Sequence, residues 1–117
     1  MNTSARARRR VLTSRLPVRF MAEGVEGVGH LKNVSRAGLF VRSADLPRPG
    51  VPIALQFEMP STGALVNLRG EVRWNTDGLG AAVPQSGFGV MLLEPTREFT
   101  EFFRWAVEQI EKEDEQI

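Results

Sequence analysis

The sequence has no cysteine and a single histidine, His30. Without cysteine there is no disulfide framework, no thiolate nucleophile and no Cys-based metal site, a composition that suits a reducing cytosol. His30 has no companion in the sequence for a base–nucleophile pair or a metal site, so a place on the surface of a strand is expected for it. No apolar run approaches the length that crosses a membrane. The basic N-terminus is not followed by the apolar stretch of a secretory signal. A P-loop is missing, and Gly87-Phe88-Gly89 is no dinucleotide fingerprint because a strand, not a helix, follows it. The acids fall mainly in turns and in the C-terminal segment, where they look solvated rather than paired in a cleft. No enzyme, metal site or cofactor is expected from this inventory.

Charge is plentiful but lopsided. The net charge is only +1. The first 20 residues carry Arg6, Arg8, Arg9, Arg10, Arg15 and Arg19 with no acid, whereas the last 20 carry seven acids against Arg104 and Lys112. An anion-seeking arm at one end and a solvated acidic tail at the other are implied. The near-zero total argues against bulk binding to long nucleic acid.

A chain of 117 residues suits one domain with one modest core. Residues 1–10 are polar and Arg-rich, and residues 1–14 read as a flexible arm. Residues 15–93 alternate between short apolar strands and turns. Leu16, Val18 and Phe20 form a half-buried first strand, with Pro17 at its edge. Glu23 to Gly29 reads as a turn, and a second strand covers about Val28 to Val34. Leu39, Phe40 and Val41 read as a buried third strand. Ile53, Leu55, Phe57 and Met59 make a fourth. Val66, Leu68, Gly70, Val72 and Trp74 alternate in a long fifth, with Gly70 suggesting a bulge or bend. Phe88, Val90 and Leu92 make a sixth. Strands this short and close, with no helix between them, indicate an antiparallel sheet or barrel. Over residues 96–113 the period changes. Phe99, Phe102, Phe103, Ala106, Val107 and Ile110 form one stripe of an amphipathic helix, with Thr96 as its N-cap.

One polar stretch interrupts the strands. Asn33, Ser35 and Gly38 form an N-x-S-x-x-G pattern between two apolar runs. Asn and Ser can hydrogen-bond a ligand or their own backbone. Gly38 offers freedom at positive φ and room for close approach. Alone, the pattern reads as a tight turn joining two strands.

Taken together, these features resemble the PilZ domain family over nearly the whole chain. Arg6-Ala-Arg-Arg-Arg10 fits its R-x-x-x-R element, and Leu16-Pro-Val-Arg-Phe20 its first strand. Asn33-Val-Ser35-Arg-Ala-Gly38 fits its [D/N]-x-S-x-x-G motif. Gly70-Glu-Val-Arg-Trp74, Gly87-Phe-Gly-Val90 and the closing helix resemble its later elements. A second R-x-x-x-R, Arg15 to Arg19, is the poorer register because Arg19 belongs to the first strand.

The resemblance implies a mainly β fold, a six-stranded antiparallel β-barrel with a C-terminal amphipathic helix and an Arg-rich N-terminal arm. It implies a cytoplasmic bacterial receptor for the second messenger cyclic di-GMP, tied to motility or biofilm signalling. Arg6 and Arg10 would clamp phosphate and guanine. Asn33 and Ser35 would offer polar contacts, and Gly38 would keep the approach to the strand clear, with Arg9 and Arg36 as second-tier candidates. The loose arm would fold over the barrel on binding, and an unidentified protein would read the altered surface. No membrane insertion is implied, and a homodimer is left open. The alternative is a PilZ-like interaction adaptor that does not bind the nucleotide. A third reading, a weak nucleic-acid binder using the arm, would show steep salt dependence.

Overall fold

A computed structural model of the chain describes residues 10–11, 16–77, 86–94 and 96–115, with side chains for 16–77, 86–94 and 96–108. It contains seven strands and one helix among these residues: β1 (Arg10–Val11), β2 (Pro17–Ala22), β3 (Val25–Val34), β4 (Gly38–Arg42), β5 (Pro52–Glu58), β6 (Leu65–Asn75), β7 (Gly87–Leu92) and α1 (Arg97–Glu115).

The period-two alternation decides which face of each strand is buried. In β2, Val18, Phe20 and Ala22 point inward while Pro17, Arg19 and Met21 face solvent. In β5, Ile53, Leu55 and Phe57 point inward. Neighbouring strands are antiparallel throughout, in the order β3-β2-β5-β6-β7-β4. A pairing of β3 with β4 then closes the sheet on itself. The result is the six-stranded antiparallel barrel expected from the sequence, and closure removes the exposed sheet edges. Phe20 and Phe88 meet edge-to-face at its centre, with ring centroids 4.9 Å apart.

The turn expected over Glu23 to Gly29 is much shorter. Only Glu23 and Gly24 turn the chain, and Ala22 already pairs with Val25. Their φ values, 54° and 76°, are both positive, as a two-residue type I′ hairpin requires. Gly27 and Gly29 belong to β3 instead. A side chain on Gly27 would collide with the Phe20 ring, and one on Gly29 with the Arg42 carbonyl and Val41. These glycines admit neighbours rather than bend the chain.

β1 lies along the same side of β3 as β2. Pro17 faces His30, and the Leu31 N–H donates to the Leu16 carbonyl at 2.8 Å. Continued without a break, that register would bring residue 13 to Val34. Arg10 is there instead, with Val11 opposite Asn33. Two residues of the expected arm are thus joined to the barrel by backbone pairing. Residues 1–9 and 12–15 lie outside the described residues, as do 78–85 of the loop expected before β7.

The helix starts where the capping signal put it. The Phe99 N–H donates to Thr96 Oγ1 at 3.1 Å, which satisfies one of the unpaired donors of the first turn. Phe99, Phe102 and Ala106 are buried and continue the barrel core. Among the described residues no helix is long and apolar enough to cross a membrane.

Candidate functional site

The polar stretch forms the corner between β3 and β4. The Ser35 N–H donates to the Gly38 carbonyl at 2.9 Å, and the Leu92 N–H donates to the Ala37 carbonyl at 2.8 Å, fastening the corner to β7. Ser35 Oγ lies 3.4 Å from the same Gly38 carbonyl. That is long for a hydroxyl donor, so the contact is weak and the oxygen keeps its lone pairs. The tight-turn reading therefore holds for the backbone. Gly38 is not among the described glycines with positive φ. Its role is close approach: a Cβ there would collide with the Val90 carbonyl oxygen.

Two single-residue bulges shape the surface beside this corner. Leu31 pairs with Val41 but Asn33 pairs with Phe40, which leaves Lys32 as the extra residue in β3. Val72 pairs with Val90 but Trp74 pairs with Gly89, which leaves Arg73 as the extra residue in β6. A bulge breaks the in–out alternation. Lys32 and Asn33 both lie outside the core, as do Arg73 and Trp74. The sequence expectation that Trp74 continues the inward row of β6 fails for this reason. The bulge also falls at Arg73, not at Gly70, which keeps regular pairs with Ile53 and Leu92. Gly70 instead leaves room for the Val90 side chain and the Met91 carbonyl.

The two shifts bring one outward row into line across four strands: Asn33, Phe40, Gly89 and Trp74. Phe40, expected in a buried strand, is only half-buried and faces outward between buried Leu39 and Val41. Its ring stacks on the Trp74 indole across Gly89, with centroids 5.3 Å apart and planes 20° from parallel. The indole fills the space over Gly89, and the Phe40 ring that over Gly87.

A shallow open recess of about 120 Å³ lies here, bordered by Asn33, Ser35, Gly38, Phe40, Arg73 and Trp74. Arg73 donates to Glu71 at 2.9 Å, with Arg73 exposed and Glu71 half-buried. Among the described residues the Asn33 side chain has no hydrogen-bond partner, and its amide can both donate and accept. Donors, acceptors, a flat aromatic pair and a guanidinium on one open face suit a planar, polar, anionic molecule laid on the barrel wall. Among the described residues no group of His, Asp or Glu is placed to hold a metal ion.

Of the residues singled out in the sequence, the structure brings Asn33, Ser35 and Gly38 to one recess. Arg36 sits in the corner, exposed, and does not border it. Arg10 is placed by its backbone one residue from the position facing Asn33. Arg6 and Arg9 lie outside the described residues. Phe40, Arg73, Trp74 and Gly89 were not foreseen. The one sequence signal for them is the alternating pair of glycines in β7, which marks close approach by neighbouring side chains.

The PilZ domain model matches residues 4–105. None of the curated proteins matches the chain. Solved structures do. The PilZ domain of YcgR from Escherichia coli, determined with c-di-GMP, is 14% identical with a TM-score of 0.69, covering 95% of this chain and 94% of that one. The Bacillus subtilis inhibitor of motility (MotI/DgrA) is 16% identical with a TM-score of 0.68, over 89% of this chain. The chain spans about half of that protein, 50% of its length. The PilZ domain of CeSA from a cellulose-synthesizing bacterium is 12% identical with a TM-score of 0.59, covering 87% and 97%. At these identities the likeness speaks for the fold.

Proposed function

The chain belongs to the PilZ domain family, and from that premise we propose that it is a receptor for cyclic di-GMP, held between the Arg-rich arm and the recess on the barrel face. The observation that carries this reading is the convergence of Asn33, Ser35 and Gly38 on one open recess beside Arg73 and the Phe40–Trp74 pair. Each part of the ligand has a matching chemistry. Its guanines carry O6 and N7 acceptors that a guanidinium meets in bidentate fashion, and purine faces that stack on aromatic rings. Its two phosphates suit arginine. Asn33 and Ser35 supply short polar contacts from the wall.

The arm completes the site. β1 sets Val11 opposite Asn33 and Arg10 opposite Val34, so Arg10 is an arm arginine one residue from the edge of the recess, with Arg6 and Arg9 preceding it. The open recess contributes one side of the cage and the arm the other. The ligand favours the closed arrangement by as much as it binds that arrangement better. A protein that reads the closed surface would carry the signal onward.

Calorimetric titration with cyclic di-GMP, with GTP as control, tests this. Saturable binding that Arg10→Ala and Ser35→Ala both weaken supports the receptor and its arm register. Folded protein that takes up no ligand at high micromolar concentration overturns it, and the interaction-adaptor reading then stands.

A further inference from the structure

Gly89 is a buried glycine in mid-strand, and what buries it is a side chain from the next strand. A Cβ at Gly89 would stand 2.8 Å from Cε2 and 3.0 Å from Cδ1 of the Trp74 indole, and closer still to Nε1. Three atoms of one rigid ring are in the way, so no flexible tip can swing aside. The whole indole would have to lift off the wall. Gly87, two residues earlier, gives the Phe40 ring the same seat, with Cζ 2.5 Å from its virtual Cβ. The two glycines lie in β7 on either side of Phe88, which points into the core. The outer side of β7 is therefore bare at Gly87 and Gly89, where the two rings pack, with the Val41 carbonyl also close at Gly87.

Barrel closure does not require this arrangement. Phe40 and Trp74 face away from the core, and Trp74 keeps 39% of its surface exposed. The bulge at Arg73 turns the indole outward, Gly89 lets it come close against β7, and Phe40 stacks on it. The ring pair borders the recess in the same cross-strand row as Asn33. Rings already fixed in place lose little freedom when a base packs on them.

We infer that Gly89 is a positioning residue for ligand binding: it presets the Trp74 indole, stacked on Phe40, as the aromatic wall on which a guanine of the ligand rests. This rests on the receptor reading above and adds a residue that acts through the indole it seats.

The test is a double-mutant cycle on the full chain, read by cyclic di-GMP calorimetry with thermal melting beside it. Trp74→Ala and Gly89→Ala are each expected to weaken binding about tenfold or more, the scale of one base stacked on one ring. Gly89→Ala added to Trp74→Ala is expected to weaken it no further, because the added methyl then has no indole to displace. The double variant also has room for its Cβ, so it remains measurable if Gly89→Ala alone folds poorly. In a Trp105→Phe background Trp74 is the only tryptophan, and its emission is expected to change on ligand addition. Gly89→Ala with wild-type affinity, a further loss in the double variant, or saturable binding that leaves Trp74 emission unmoved overturns the inference and leaves the receptor reading standing. Wild-type protein that takes up no ligand overturns both.

Discussion

Phe102 of α1 meets Phe57 of β5 edge-to-face, with ring centroids 4.8 Å apart and planes at 64°. The contact fixes the helix to the barrel, because Phe102 is wholly buried and Phe57 nearly so. Phe102 also packs on Phe99 and Trp105 of its own helix. Phe102→Ala should therefore open a cavity shared by helix and barrel and cost about 3–5 kcal/mol. Against a total of about 5–15 kcal/mol for a domain, that is enough to bring the protein close to unfolding. Urea denaturation followed by circular dichroism measures it. A loss below about 1 kcal/mol would mean that the helix contributes little to the core.

The start of the helix gives a smaller and cleaner effect. Thr96 Oγ1 accepts from the Phe99 N–H. Thr96→Ala removes that acceptor and should cost about 1 kcal/mol, whereas Thr96→Ser keeps it and should cost a few tenths. Thermal melting separates the two. Equal losses would point to the methyl group, not the cap.

The strands, the helix and its cap were legible because each rests on a local period or a local side-chain bond. Val18, Phe20, Ile53, Leu55 and Phe57 announce their burial by alternation alone. Half of the candidate site was legible too, since Asn33, Ser35 and Gly38 are close in sequence. The other half was not. Trp74 reads as core until Arg73 is inserted as an extra residue against β7. That register is decided by a strand more than ten residues away, so no window around Trp74 reveals it. Phe40 fails in the same way, because its partner surface is a pair of glycines in another strand. The glycines of β3 were misread as a turn because glycine in a sequence signals bending and close approach alike.

Glu23 supplies a pH prediction. It receives hydrogen bonds from the Arg48 guanidinium, one of them at 3.1 Å through Nε. That bonding holds the Glu23 carboxyl below its usual range, opposed by partial desolvation, with the Arg48 charge a lesser contribution in the same direction as the hydrogen bonds. A carboxyl lowered in the folded state contributes stability above its unfolded value and loses it as pH falls through the folded one. The wild type should therefore exceed Arg48→Ala in melting temperature at neutral pH, and the gap should close below about pH 4. The pair is exposed, so the gap should be small and should shrink in salt. Carboxyl titration by NMR should place Glu23 back in the ordinary glutamate range in Arg48→Ala. An unchanged midpoint would sink the assignment.

Gly38 and Gly24 should respond to substitution in opposite ways, because different constraints select them. Gly24 has a φ of 76° and no atom within 4 Å of a virtual Cβ. The constraint there is backbone conformation, which asparagine tolerates better than alanine. Gly24→Asn should be nearly neutral and Gly24→Ala clearly worse. At Gly38 the φ is ordinary and the obstacle is the Val90 backbone of the neighbouring strand. Backbone cannot rotate away, so any Cβ must push the first residue of β4 off β7. Alanine and asparagine should then be equally harmful, each costing about 1–3 kcal/mol. For a domain of this size each kcal/mol lowers the melting temperature by about 4–8 °C, so thermal scans of the four variants decide the matter. If Gly38→Asn melts near the wild type while Gly38→Ala does not, positive φ is the governing constraint at Gly38 after all. The corner holding Asn33 and Ser35 would then owe its shape to the turn rather than to the close approach of β7.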